Sequence, residues 1–400
     1  MTRFFKSVAV VGVLVVAAGH SPAAPPEDAK ALVEGGNRFA IDLYKALAAE
    51  KGNVVCSPYS VSAALAMTYA GARGDTAAEM AKVLGFAQLG DRVHPAQADL
   101  AQRLKGDPAK GQPEFSVANA LWGQRGYGLK PEFLALTQAS YGAGLREVDY
   151  VADTAGARKT VNGWVGDQTK GKIPELIPDG VLGSDTRLVL TNAIYFKGSW
   201  LNEFLTKDTA DGQFRVTPTK TVLVRMMSRN APAAFFEGDG VKVVRLPYRG
   251  EAKSMLLVVP DDVAGLAAVE GKLTAGLVAK WQAGLHVGEV ALTLPKFKAT
   301  GKSQLGEALK RMGMPLAFDR AKADFSGMTD RERLHIAAVI HEAVVEVDEQ
   351  GTVAAAATAV VMAGDSARRV IEIRADRPFL FLIVDDATQA ILFAGRLAKP

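Results

Sequence analysis

The sequence predicts an α+β fold, and three observations carry that expectation. Strand-like and helix-like segments mix irregularly instead of alternating as βαβ units. No internal repeat or Pro/Ser-rich linker divides the chain. The 400 residues are 48% hydrophobic, enough to bury a large core, with an ordinary 22% charged and 7% aromatic content. Together these favour one domain over residues 25–400 rather than two. The net charge of +4 comes from 47 basic and 43 acidic residues spread along the chain. No basic block interleaves with aromatics, so nothing asks for a nucleic-acid partner.

Arg3 and Lys6 precede an uncharged apolar stretch from Ser7 to Gly19, and small residues follow at Ser21, Ala23 and Ala24. That order reads as a secretory signal peptide over residues 1–24. The apolar stretch is shorter than the roughly 20 residues a spanning helix needs. The mature protein is therefore expected outside the cytoplasm, extracellular or periplasmic, with no membrane attachment. Its single cysteine, Cys56, lies in an apolar run and reads as core, so packing must stabilise the fold without an internal disulfide.

Ala29 to Ala49 carries Leu32, Phe39, Ile41, Leu43 and Leu47 at helical spacing. Ser57-Pro58 breaks the next apolar run, and Val61 to Ala70 resumes as a helix. Arg73-Gly74-Asp75 makes a turn, with Thr76 placed to cap a helix from Ala77 to Leu84. Strand patterns follow at Ser116–Gly123, Thr186–Lys197, Val222–Met227, Val241–Pro247, Ser254–Val259 and Gly288–Phe297. Leu305 to Met312 reads as a helix, and Phe379–Val384 and Ala390–Ala394 as closing strands.

No enzyme emerges. The five histidines are His20, His94, His286, His335 and His341. His341-Glu342 begins like a zinc-protease helix but lacks the second histidine such a motif requires, so no metal ligand set is read. No GxSxG elbow occurs. Gly166 to Lys172 imitates a phosphate loop, yet Ile173 stands where a magnesium-binding hydroxyl belongs. No cofactor is called for.

The informative tract runs Val344-Val345-Glu346-Val347-Asp348-Glu349-Gln350-Gly351-Thr352-Val353-Ala354-Ala355-Ala356-Ala357-Thr358-Ala359-Val360-Val361-Met362. Val344 to Val347 reads as a strand, and Gly351 as a flexible point. The run beyond it has no charge and no proline, and almost nothing larger than valine. Composition alone admits an Ala-rich helix end or a buried strand. As a strand, alternation would put Thr352, Ala354, Ala356, Thr358 and Val360 on one face.

This tract resembles the hinge of inhibitory serpins: an acidic residue, any residue, Gly, Thr, then a run of small residues. Asn53 to Met67 is similar to the family's Asn-x-x-x-Ser-Pro-x-Ser helix, and Thr191 to Trp200 to its Asn-x-x-x-Phe-Lys-Gly-x-Trp strand. Leu294-Pro295-Lys296-Phe297, Phe325-Ser326-Gly327-Met328, Ala375 to Ile383 and Ile391 to Arg396 also fit. Each is weak alone, whereas their order and spacing together are specific.

The resemblance implies three β-sheets, eight or nine helices and an exposed, metastable reactive-centre loop, here about residues 349–374. It implies an inhibitor, not an enzyme. A target serine or cysteine endopeptidase is trapped as a covalent acyl complex when the cleaved loop inserts into the large sheet, and the inhibitor acts as a monomer. It assigns Glu349, Gly351, Thr352 and Ala354, Ala355, Ala356 and Ala357 to the hinge. Ser57, Ser60, Asn192 and His341 would form the cluster where the sheet opens, with Trp200 above and Lys296 paired to Glu349. Counting from Gly351 puts the reactive bond at Asp365-Ser366, with Arg368 or Arg369 as the alternative. The rival is a non-inhibitory serpin serving as carrier, chaperone or storage protein, against which the small, uncharged hinge argues.

Overall fold

The computed structural model describes residues 26–107, 111–142, 145–331, 333–352 and 369–400. Among these the chain forms nine α-helices and fifteen strands. The strands fall into two hydrogen-bonded ladders. The smaller runs β10 (Phe297–Gln304), β11 (Ala338–Val347), β4 (Leu188–Ser199), β2 (Glu114–Gln124) and β3 (Arg146–Val148), with the two-residue β12 (Gly351–Thr352) on β4. The larger runs β1 (Val54–Cys56), β15 (Ile391–Leu397), β14 (Phe379–Asp385), β8 (Lys253–Pro260), β7 (Val241–Pro247), β6 (Lys220–Gly238), β9 (His286–Pro295) and β13 (Ile371–Arg374), with β5 (Thr209–Thr217) on β6.

The 19-residue β6 explains how three expected sheets become two ladders. Its first part pairs with β5, as in Thr209 opposite Met227, and its last part with β7, as in Ala234 opposite Arg245. One strand thus serves two sheets. The sequence pattern covers only Val222–Met227 of it, because Asn230 and Pro232 interrupt the apolar alternation farther along.

The helices are α1 (Pro26–Ala48), α2 (Pro58–Tyr69), α3 (Gly74–Leu84), α4 (Val93–Leu104), α5 (Pro131–Tyr141), α6 (Thr154–Gln168), α7 (Leu266–Lys272), α8 (Ala275–Ala283) and α9 (Gly306–Met312). In α1, Leu32, Phe39 and Leu43 enter the main core, while Ile41 and Tyr44 face a second one. The Ser57 hydroxyl caps α2 by accepting from the Ser60 amide, and Pro58 takes the first turn, where no amide hydrogen is needed. Most of α2 is buried beneath the smaller sheet, with Ser60, Ala64, Ala66 and Thr68 among its small enclosed residues and Tyr59, Ala63 and Tyr69 only partly covered.

The turn at Arg73-Gly74-Asp75 differs from expectation. The helix already begins at Gly74, Arg73 holds the cap position without a side-chain cap bond, and Thr76 lies inside the first turn. The Thr76 hydroxyl instead accepts from the Asp324 amide, so a tertiary partner outbids the local capping role. The phosphate-loop imitation also resolves simply: Gly166 sits inside α6, and Lys172 lies over the Tyr195 ring.

Candidate functional site: the seam of the smaller sheet

The centre of the smaller sheet is a parallel pair, β4 with β11, in register from Val189 opposite Ala338 to Tyr195 opposite Val344. Both strands are almost wholly buried, as parallel strands covered on both faces must be. α2 lies in the core on one face. On the other, Val161 and Val165 of α6 and Ile173, Leu176 and Ile177 of the following connection cover Val189, Ala193, Ile340 and Val344.

Beyond Tyr195 and Val344 the pair separates, and the chain itself enters the gap. After Val347 it turns, with the Asp348 carboxylate accepting from the amides of Gln350 and Gly351. Gly351 and Thr352 then run antiparallel to β4, opposite Ser199 and Gly198. Gly351 is required here: its φ is +148°, and a Cβ would meet the Gly198 carbonyl oxygen at 2.2 Å. The turn is anchored by Trp200 and Phe204, whose amides donate to the carbonyls of Gln350 (2.9 Å) and Glu349 (2.8 Å). The Trp200 indole, stacked on Tyr248, donates to the Asp348 carbonyl at 3.1 Å.

Glu349 is brought to Lys296, with Oε2 and Nζ 2.7 Å apart, and its other oxygen accepts from the Thr209 hydroxyl at 2.9 Å. Burial works to raise the pKa of this carboxyl, but the bonds from Lys296 and Thr209 outweigh it and hold it below the ordinary range.

Below the seam a buried polar row crosses three strands. Asn119 of β2 stands opposite Asn192 of β4, which stands opposite His341 of β11. The Ser57 amide donates to His341 Nε2 at 3.1 Å, so the neutral ring carries its proton on Nδ1, against Asn192 Oδ1. Asn192 donates in turn to the Ser60 hydroxyl at 2.5 Å and to Asn119 Oδ1. The Ser60 hydroxyl donates to Asn119 Oδ1 at 3.0 Å, and Ser57 Oγ donates to the Leu392 carbonyl at 2.7 Å. Burial lowers the His341 pKa to about 4, against a weaker opposing effect of Asn192. A neutral, fully bonded imidazole among amides is a strut rather than a proton-transfer group.

Ser57, Ser60, Asn192 and His341 therefore meet, while Trp200, Lys296, Glu349, Gly351 and Thr352 meet at the upper end. Asn119 completes the lower group and was missed, although a lone amide inside Val117-Ala118-Asn119-Ala120-Leu121 was a usable signal. Ala354 to Ala357, Asp365, Ser366 and Arg368 lie outside the described residues. Arg369 is described and exposed, 3.9 Å from Glu237. Among the described residues no group of three or more His, Cys, Asp or Glu could hold a metal ion, and no helix is long and apolar enough to cross a membrane.

The family model described as serpin, serine protease inhibitor, matches residues 34–400. The chain belongs to the serpin family. The bovine leukocyte elastase inhibitor is 41% identical over 381 residues, covering 92% of this serpin and 99% of that protein. A serpin-like protein of Thermococcus kodakarensis is 39% identical, covering 93% and 86%. Among solved structures, maspin superposes with a TM-score of 0.87 at 27% identity, covering 94% of this serpin and all of that chain. Uncleaved ovalbumin gives 0.82 at 30% identity, covering 92% and 100%. The family description is that of protease inhibitors, not of enzymes.

Proposed function

We propose that this serpin is an exported suicide-substrate inhibitor of serine or cysteine endopeptidases, which traps its target by inserting the cleaved loop between β4 and β11. The observation that carries this reading is the short antiparallel pairing of Gly351 and Thr352 with β4, in the gap where the parallel pair diverges. Continuing that register eleven residues brings Met362 opposite Leu188, the first residue of β4. The small-residue run thus matches the full length of the strand it would join. Thr358 would then come opposite Asn192, over the polar row.

The target's nucleophile would add to the Asp365 carbonyl, and the Asp365–Ser366 bond would break. The Ser366 amine would leave with the nucleophile's proton, and Asp365 would remain as an ester or thioester. An aspartate there suits proteases that cut after Asp, whereas Arg368 or Arg369 would suit trypsin-like enzymes. Because close relatives are named elastase inhibitors, an elastase belongs in the panel of targets tested. Export rests on the charge, apolar stretch and small-residue order of residues 1–24, and sequencing the N-terminus of the protein released by an expressing bacterium tests it.

The decisive experiment incubates the protein with an Asp-cutting, a trypsin-like and an elastase-like protease. An SDS-resistant complex is expected with one of them, together with a small C-terminal fragment whose first residue identifies the bond. Thr352→Arg carries a charge into the inserting strand and is expected to convert inhibitor to substrate. Plain cleavage by every class would favour the carrier, chaperone or storage reading instead.

A further inference from the structure

The pair His341-Glu342, set aside as a metal motif, contains a second unusual group. Glu342 lies on the outer face of β11, between Ile340 and Val344, with its side chain only 12% exposed. Its Oε2 is buried and, among the described residues, accepts no hydrogen bond. The nearest cation is Lys302, its cross-strand partner on β10, with Nζ 3.7 Å away. That distance is a charge contact and too long for a hydrogen bond. Lys302 Nζ spends its hydrogen bond elsewhere, donating to the backbone carbonyl of Glu175 in the connection between α6 and β4.

That connection crosses the seam. Lys172 lies over the Tyr195 ring of β4, and three residues on, Glu175 reaches Lys302 on β10. Ile173 between them and Leu176 just beyond pack in one cluster with residues of both β4 and β11. On the α6 side the connection is clipped by Arg158, which donates to Glu175 Oε1 and the Ile177 carbonyl, and by Asn162, which exchanges two bonds with Ile177. On the far side of the seam the clip is Lys302.

We propose that Lys302, aimed by the Glu342 carboxylate, is a latch that holds the α6–β4 connection across the β4–β11 seam and so controls how readily the seam opens. β10 and β11 are paired along their length, so Lys302 and Glu342 would move together when the seam parts, and the bond to Glu175 must break along with the β4–β11 ladder and the His341–Asn192 bond. The functional consequence, restraint on loop insertion, rests on the inhibitory reading above.

The latch is also sensitive to pH. Burial raises the Glu342 pKa, with Lys302 opposing. The charged groups on its side of the sheet are Lys302 opposite it, Lys298 of β10 opposite Glu346 four residues along, and Glu175 and Lys172 on the connection. β4 presents the non-titratable Ala193 opposite it. Protonation on acidification removes the charge that aims Lys302 and should loosen the latch.

Amide hydrogen exchange over Val189–Tyr195 and Ala338–Val344 tests this without any protease. Lys302→Met and Glu342→Gln are each expected to raise exchange there about five- to tenfold, the net value of one ordinary intramolecular hydrogen bond at a partly exposed site. Lys298→Met, an exposed neighbour on β10, should not. Wild-type protection, corrected for intrinsic rates, should weaken as pH falls through the upper carboxylate range, and Glu342→Gln should flatten that dependence. Unchanged exchange in Lys302→Met overturns the latch, and a persisting pH dependence in Glu342→Gln overturns its control by the carboxylate. The heat resistance of loop-cleaved protein reports the inhibitory reading separately. A gain there with unchanged exchange sinks the latch alone. Faster exchange without that gain sinks insertion and leaves the latch standing.

Discussion

His341 lies 0% exposed between the Ser57 amide and Asn192, and its chemistry follows from that position. Charging the ring there would cost the acceptor role of Nε2 as well as desolvation, so burial lowers its pKa from 6.5 to about 4. The unfolded chain binds the proton first as pH falls, so stability is full above about 6.5 and declines towards 4. The shift corresponds to a loss of about 3 kcal/mol across that window. His94, also lowered to about 4 by burial, adds a loss of the same sign. The thermal midpoint of uncleaved protein should therefore drop between pH 7 and 4.5, with a shallower slope in His341→Gln. An unaltered slope would place the acid lability elsewhere. The histidine itself was legible only through resemblance, because nothing local distinguishes a buried strut from a solvent-facing imidazole.

Among the elements, the turn between β11 and β12 converts chain direction into a poised strand. Glu349 fixes it from below, its side chain 9% exposed against 40% for Lys296. Lys296→Met removes the carboxylate's charged partner, leaves the weaker neutral bond from Thr209, and should cost about 1–2 kcal/mol at pH 7. The Glu349 pKa is depressed, so this contribution is present above the normal carboxylate range and lost as pH falls through the lower folded value. The gap in thermal midpoint between wild type and Lys296→Met should then close at strongly acidic pH; a constant gap would deny the ion pair its role. Other elements were harder to read. β10 carries no apolar alternation in Lys298-Ala299-Thr300-Gly301-Lys302-Ser303, and its Gly301 sits mid-strand where a Cβ would meet the Val55 carbonyl oxygen at 1.9 Å. α4 buries His94 and Gln97 beside Val93, Ala96 and Leu100, so its inward stripe looks polar in sequence.

For the whole molecule, the sheet carries a parallel seam whose upper end is open and already holds the first two residues of a further strand. Filling the seam would add about a dozen ladder hydrogen bonds at ~1 kcal/mol net each. A gain on the order of 10 kcal/mol should raise the thermal midpoint of loop-cleaved protein by roughly 10–15 °C for a domain of this size. Calorimetry of intact and cleaved protein checks this, and equal midpoints would mean that the loop stays out of the sheet.

The sequence by itself determined what local pattern can carry. It carried the α+β class, the core placement of Cys56, whose pKa burial raises to about 12, the lack of a nucleophile motif, and the run of small, uncharged residues after Gly351. Only the tertiary structure decided which groups meet. Ser57 and His341 are 284 residues apart, and Asn192 and His341 are 149 apart. The latch from Lys302 to Glu175 spans 127 residues. Hydrophobic periodicity is set by each element's own geometry and survives in sequence. A buried hydrogen bond or ion pair exists only once strands from distant parts of the chain are in register, and residue type alone does not encode that register.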